Sequence, residues 1–157
     1  MLHRSIILLI AAAIVLVDQI SKAAISGLLL NGKAMILLPG LLSLQLVRNT
    51  GAAFSLLSGS AKFLGLLSLV VSLGALVWVW RRRAAPIWQA AAVACLLGGT
   101  LGNGLDRWRF GYVVDFLALI PVSFPVFNVA DIAINLAMLC FAIHFWISRH
   151  DASYRRS

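Results

Sequence analysis

The chain has 157 residues, of which 62% are hydrophobic and 11% charged, with a mean hydropathy of +0.98. A soluble domain carries about 25% charged residues, so this composition excludes an ordinary water-facing surface and points to one domain, residues 1–157, in a bilayer. The net charge of +8 and pI of about 10.8 would suit nucleic acid, but Arg4, Arg81, Arg82, Arg83, Arg149, Arg155 and Arg156 sit where apolar runs end. That is the pattern of topology signals, and no nucleic-acid partner is expected.

A spanning helix needs about 20 mainly apolar residues. The first candidate covers residues 5–25. Its apolar core from Ser5 to Val17 has the length of a signal-peptide core, but Asp18 and Lys22 fall where a neutral cleavage region would sit. A retained helix is expected. Asp18 and Lys22 are four residues apart and share a helix face. Two readings stay open: an ion pair that locks this helix to its neighbours, or a direct functional role.

A connection follows from about Ser26 to Ser60. Pro39-Gly40 with apolar flanks, and the partial alternation of Leu42-Ser43-Leu44-Gln45-Leu46, predict a short hairpin or small sheet on the membrane surface. The second and third spans are placed at 62–80 and 86–105. Asn103, Asp106 and Arg107 close the third, and Gly102-Asn103-Gly104 suggests close backbone approach. The next connection runs from Asp106 to about Asn128, broken by Gly111, Pro121 and Pro125. Within it Asp115 stands between Val114 and Phe116, a costly place for a carboxylate that is not solvated, paired or protonated.

The fourth span covers 129–148. Asn128, Asp131 and Asn135 form one stripe of it, which turns Asp131 inward and makes Asn135 a helix–helix hydrogen-bonding residue. Four spans put most of the bases on one side, so both termini are expected in the cytoplasm and Asp115 and Asp131 at the outer face.

The chain has no Glu, and four of its five Asp lie in or beside apolar segments. Two carboxylates that approach closely share a proton, one acting as base toward a water and the other as acid. Competing chemistries are weaker. A zinc site of the HExxH type needs a Glu. Cys140 and His144 lack an orienting third group, Ser55 lacks a placed base, and Cys95 and Cys140 read as small hydrophobes. A haem anchor would need paired His. Gly102-Asn103-Gly104-Leu105-Asp106 carries one residue too many for the Gly-x-Gly-Asp of presenilin-class proteases. A different class of function, a small proton- or ion-coupled carrier with an Asp/Lys relay, would need a polar path through the bilayer, and an internal repeat would favour it.

Five segments in order resemble bacterial lipoprotein signal peptidase, or signal peptidase II. They are Asp18-Gln19-Ile20-Ser21-Lys22 (DQxxK), Asn49-Thr50-Gly51-Ala52-Ala53-Phe54-Ser55 (NxGAAFS), Gly102-Asn103-Gly104-Leu105-Asp106-Arg107 (GNxxDR), Val113-Val114-Asp115-Phe116 (VVDF) and Phe127-Asn128-Val129-Ala130-Asp131 (FNxAD). The resemblance implies an all-α membrane protein with four transmembrane helices and a small extracytoplasmic β-sheet between helices 1 and 2. It implies an aspartic endopeptidase of the bacterial inner membrane that cleaves diacylglyceryl-prolipoprotein before the lipidated cysteine. It implies no metal or organic cofactor, membrane lipid as surroundings, a monomer, and inhibition by globomycin. Asp115 and Asp131 fall on the catalytic positions. Asn49, Asn103, Arg107 and Asn128 fall on substrate-binding positions, and Asp18, Lys22 and Asp106 on supporting ones. Gly104-Leu105 replaces a bulky apolar pair, which suggests a looser end to the third helix. Leu117–Phe124 is short and apolar.

Overall fold

The computed structural model describes residues 1–29, 31–51 and 59–154, with the side chains of 151–154 excepted. Ala52–Ser55 of the second motif, and Arg155 and Arg156, lie outside the described residues.

The protein is a mostly helical membrane protein with small sheets. Its long helices are α1 (Arg4–Leu28), α2 (Ala61–Trp80), α3 (Ile87–Phe110) and α4 (Val129–Tyr154). Three are long and apolar enough to cross a membrane: α1, α2 and the Val129–His150 part of α4. Their outer faces expose Leu66, Val70, Leu73, Phe145 and Trp146, among other large apolar side chains. A surface of that kind needs lipid against it.

The less apolar α3 packs against all three other helices. It faces protein rather than lipid, so small residues replace large apolar ones. A Cβ on Gly98 would lie 2.7 Å from Ile14 Cβ, and one on Gly99 would lie 2.6 Å from the Ala130 carbonyl oxygen. Backbones therefore touch at both places. On its other side, Thr100 and Ser72 of α2 share a buried hydroxyl hydrogen bond of 2.9 Å.

The helix boundaries differ from the sequence expectation. The third helix does not end at Leu105 but continues to Phe110, so Asp106 and Arg107 are helical rather than the start of a connection. Gly111, at φ 75°, stops it by donating its N–H to the Arg107 carbonyl. Gly104 does not loosen this end: its missing Cβ makes room for Ser68 and the Trp108 ring.

The main sheet is antiparallel, in the order β2 (Met35–Leu38), β3 (Leu42–Asn49), β5 (Val113–Leu119). Pro39-Gly40 forms the expected turn, with Gly40 at φ 73° and a Leu41 N–H to Leu38 carbonyl bond of 3.1 Å. The sheet is not confined to the segment between the first two long helices. Its third strand, β5, comes from the α3–α4 connection and runs Asn49↔Val113, Val47↔Asp115, Leu42↔Leu119. A second, two-residue pairing joins β1 (Leu2–His3) to β4 (Ala84–Ala85) at the opposite end of the bundle.

Candidate active site

The site grows from the start of α4. Asn128 caps that helix: its Oδ1 accepts the Asp131 N–H at 2.9 Å, and Asp131 Oδ2 accepts the Asn128 N–H at 3.1 Å. This is a capping box with Asp in the place usually held by Glu. The Asp131 carboxylate is thereby tied to the backbone, and the Asn128 amide is left to point its NH2 elsewhere. That group donates to Asp115 Oδ1 at 2.6 Å and to Asn103 Oδ1 at 3.1 Å.

Asp115 is buried in β5. Asn49, at the end of β3, is its diagonal neighbour across the sheet and donates to Asp115 Oδ2 at 2.8 Å. The side-chain Oδ1 of Asn49 accepts the Gly51 N–H at 2.9 Å, which fixes the direction of its amide. Burial pushes the Asp115 carboxyl up from the ordinary 3.8 to about 6. The Asn49 N–H opposes that rise by favouring the charged form, and the neighbouring Asp131 charge adds to it.

Behind the pair stands Asn103 of α3. It donates to Asp131 Oδ1 at 2.8 Å, while its own oxygen accepts Lys22 Nζ at 3.0 Å. Lys22 Nζ also reaches Asp18 Oδ2 and Asp106 Oδ2, each at 2.9 Å. Its three protons thus have three acceptors. Asp18 Oδ1 accepts the Ala130 N–H of α4 at 2.9 Å, and Asp106 Oδ2 the Val114 N–H at 3.0 Å. Of the two roles open for Asp18 and Lys22, the geometry is that of a helix-locking ion pair, extended to Asp106. Gly102 is required here, because a Cβ would lie 2.7 Å from Asp18 Oδ2.

Gln19 ties the cluster together, with its NH2 on Asp18 Oδ2, Asp106 Oδ1 and the Gly102 carbonyl. It stands in the first motif, but sequence reasoning gave it no role. The signal was present: a second polar side chain beside Asp18 in an apolar helix. Arg107 Nη2 donates to the Gly51 carbonyl at 3.1 Å, and its Nε is buried without a partner among the described residues.

Asp115 and Asp131 line one cavity of about 540 Å³. Asn49 and Asn135 join them at its polar part, and Phe124, Phe127, Ile132, Leu136 and Leu139 give it apolar walls. Asn103, Asn128 and Arg107 are not among the lining residues; the two asparagines reach the carboxylates from behind. Asn135 donates to the Asp131 carbonyl of its own helix at 2.9 Å and makes no bond to another helix among the described residues. Among the described residues no three His, Cys, Asp or Glu side chains gather as metal ligands. The arrangement offers two carboxylates on one cavity, held by amide N–H donors.

A family model described as signal peptidase (SPase) II matches residues 10–147. The lipoprotein signal peptidase of Parasynechococcus marenigrum (strain WH8102) is 59% identical over 153 residues, covering 98% of this chain and 96% of that protein. The lipoprotein signal peptidase of Synechococcus sp. (strain RCC307) is 55% identical over 138 residues, 87% of this chain and 91% of that one. A solved bacterial membrane enzyme, determined by the in meso method at 2.3 Å, has a TM-score of 0.86 at 26% identity, with 96% of each chain covered. With the family model matched from residue 10 to 147 and a relative 59% identical over 98% of this chain, the chain belongs to the signal peptidase II family.

Proposed function

We propose that Asp115 and Asp131 are the catalytic pair of a membrane aspartic endopeptidase that removes the signal peptide from diacylglyceryl-modified prolipoproteins, cutting before the lipidated cysteine. The observation that carries this is the shared cavity: Asp115 and Asp131 both line it, Asn128 bonds to both, and among the described residues neither has an ion-pair partner. One carboxylate takes a proton from water as the oxygen attacks the scissile carbonyl carbon. The other, protonated, gives its proton to the leaving nitrogen of the cysteine as the carbon–nitrogen bond breaks. The pair titrates as a unit, so neither member is fixed as the acid.

The substrate is a membrane helix with a lipid at the cut. A cavity with a polar end and apolar walls suits both parts. Asn49 borders it with hydrogen-bonding capacity for a peptide backbone, and Asn103, Asn128 and Arg107 hold its polar end in place. Asp18, Lys22 and Asp106 support that end from within the bundle.

All four long helices span the bilayer in this proposal, α3 screened from lipid by the others. The basic ends with Arg4, Arg81–Arg83 and Arg149 then face the cytoplasm with both termini. The cavity and the three-stranded sheet face the outer side of a bacterial inner membrane, and the chain acts as a monomer. An ion-coupled carrier gains no support: the buried charged residues Asp18, Lys22, Asp106 and Asp115 all gather at one end.

The test is cleavage of a lipidated prolipoprotein by Asp115→Asn and Asp131→Asn. Each is expected to lose at least about a thousandfold in kcat/KM. Near-normal cleavage by either, in correctly inserted protein, overturns the assignment. Inhibition of the wild type by globomycin is the accompanying check.

A further inference from the structure

The opposite end of the bundle carries a second feature, unrelated to the carboxylates. Two grooves flank the last turns of α2. One, of about 430 Å³, is lined by Gly74, Val77, Trp78, Arg81 and Arg82. The other, of about 390 Å³, lies between α1 and α2, with Leu8, Leu76 and Trp80 on its walls. Val77 and Arg81 border both, so the two grooves meet at one arginine.

The charge at this corner is strong and one-sided. The Arg4 N–H donates to the Arg83 carbonyl at 3.0 Å, which brings a fourth arginine beside Arg81, Arg82 and Arg83. Both ion pairs among the described residues belong to Lys22, at the other end, so none of these arginines has a described carboxylate partner. Two are stacked on tryptophans: Arg82 lies 5.0 Å from the Trp78 ring and Arg4 lies 5.4 Å from Trp80. Tryptophan at a helix end marks the headgroup level of a bilayer, and clustered arginines there attract anionic lipid. Gly74 lines the first groove, and the space beside it is open: a Cβ there would meet nothing within 4 Å.

We infer that this end of α2 binds one anionic diacyl phospholipid, its phosphate on Arg81 and Arg82 and its two chains in the grooves on either side of the helix. One headgroup with two chains matches one cationic point with two grooves. A free phosphate would leave the grooves unused. The lipid sits in the leaflet opposite the cavity, so it is a bound component and not a substrate.

Native mass spectrometry of the full chain in detergent tests this. The probes are phosphatidylglycerol and phosphatidylcholine with identical acyl chains. The wild type is expected to retain one phosphatidylglycerol with a preference of roughly twenty-five-fold, a factor of about five for each of the two arginines. The double variant Arg81→Gln/Arg82→Gln brings the two lipids level. The Arg81→Lys/Arg82→Lys pair keeps much of the preference, which separates lost charge from lost folding. Gly74→Leu weakens retention of both lipids and leaves their ratio unchanged. Arg149→Gln, a base at another helix end, behaves as wild type. Equal retention of the two lipids by the wild type overturns the inference. So does an unchanged preference in the double Gln variant, or an equal loss in Arg149→Gln. Cleavage is not the readout, so this result stands apart from that of the catalytic pair.

Discussion

Two groups of aspartates occupy the same end of this bundle, and the fold treats them oppositely. Asp18 and Asp106 share one ammonium, receive backbone N–H groups from α4 and β5, and do not border the cavity. Among the described residues, Asp115 and Asp131 receive hydrogen bonds only from amides, and both line that cavity. The first pair shares a direct cation and joins α1, α3, α4 and β5. The second has no direct cation partner among the described residues, which in the proposed mechanism leaves its protons free to move. Residue type does not separate the groups; the presence of Lys22 does.

Substitutions can break this contrast. The largest expected effect is on chemistry. Asp115→Asn and Asp131→Asn lose cleavage by the thousandfold or more proposed above, while their unfolding midpoints in detergent stay close to wild type. An unfolding midpoint that collapses in either would place that residue with the structural group.

Next comes Lys22→Met, which leaves Asp18 and Asp106 buried without their cation. Removing one partner of a buried pair costs about 3–5 kcal/mol, so a large fall in the denaturation midpoint is expected. Activity falls with it, because Asn103 loses the contact that directs its NH2 toward Asp131. Gly102→Ala presses a methyl against Asp18 Oδ2, and overpacking of that kind costs about 1–3 kcal/mol. Thermal unfolding reads both changes.

The smallest effect concerns pH. Asp115 has its folded value raised to about 6 from 3.8. The protonated form therefore favours the folded state, and that contribution is fully present below about 3.8 and lost as pH rises through about 6. Asp115→Asn should flatten this part of the stability curve. Asn49→Ala removes a bond that favours the charged carboxylate, so the pH–kcat/KM profile of the pair should move to higher pH. A shift to lower pH would show that Asn49 acts in some other way.

Much of the bundle was legible because its signals are local. Apolar length located the helices, Pro39-Gly40 located the hairpin turn, and the four-residue spacing of Asp18 and Lys22 located their pair. The misses were non-local. Strand β5 pairs with β3 across more than sixty positions, a register that nothing inside Val113–Leu119 announces. The helical state of Asp106–Phe110 was hidden because polar residues usually end a span, whereas here Asp106 turns inward to Lys22 and Arg107 to Gly51. The stripe of Asn128 and Asp131 was visible, but its use as a reciprocal cap was not. In the same way Gln19 had a motif position but no partner until α1 and α3 were set side by side.

The spacing of Asp18 and Lys22 also bears on how the chain enters a bilayer. The Asp18 Oδ1–Ala130 N–H bond joins residues 112 positions apart, so it forms only when the last helix has been made. Until then Lys22, one turn away, can neutralise Asp18 within a single helix, and the first segment can pass into lipid as a nearly uncharged rod. Asp106 arrives later to a cation already in place, and α4 finds a carboxylate waiting for its first amides. The order of synthesis thus becomes an order of charge compensation, and the cavity between β5 and α4 is complete only after the final helix has docked.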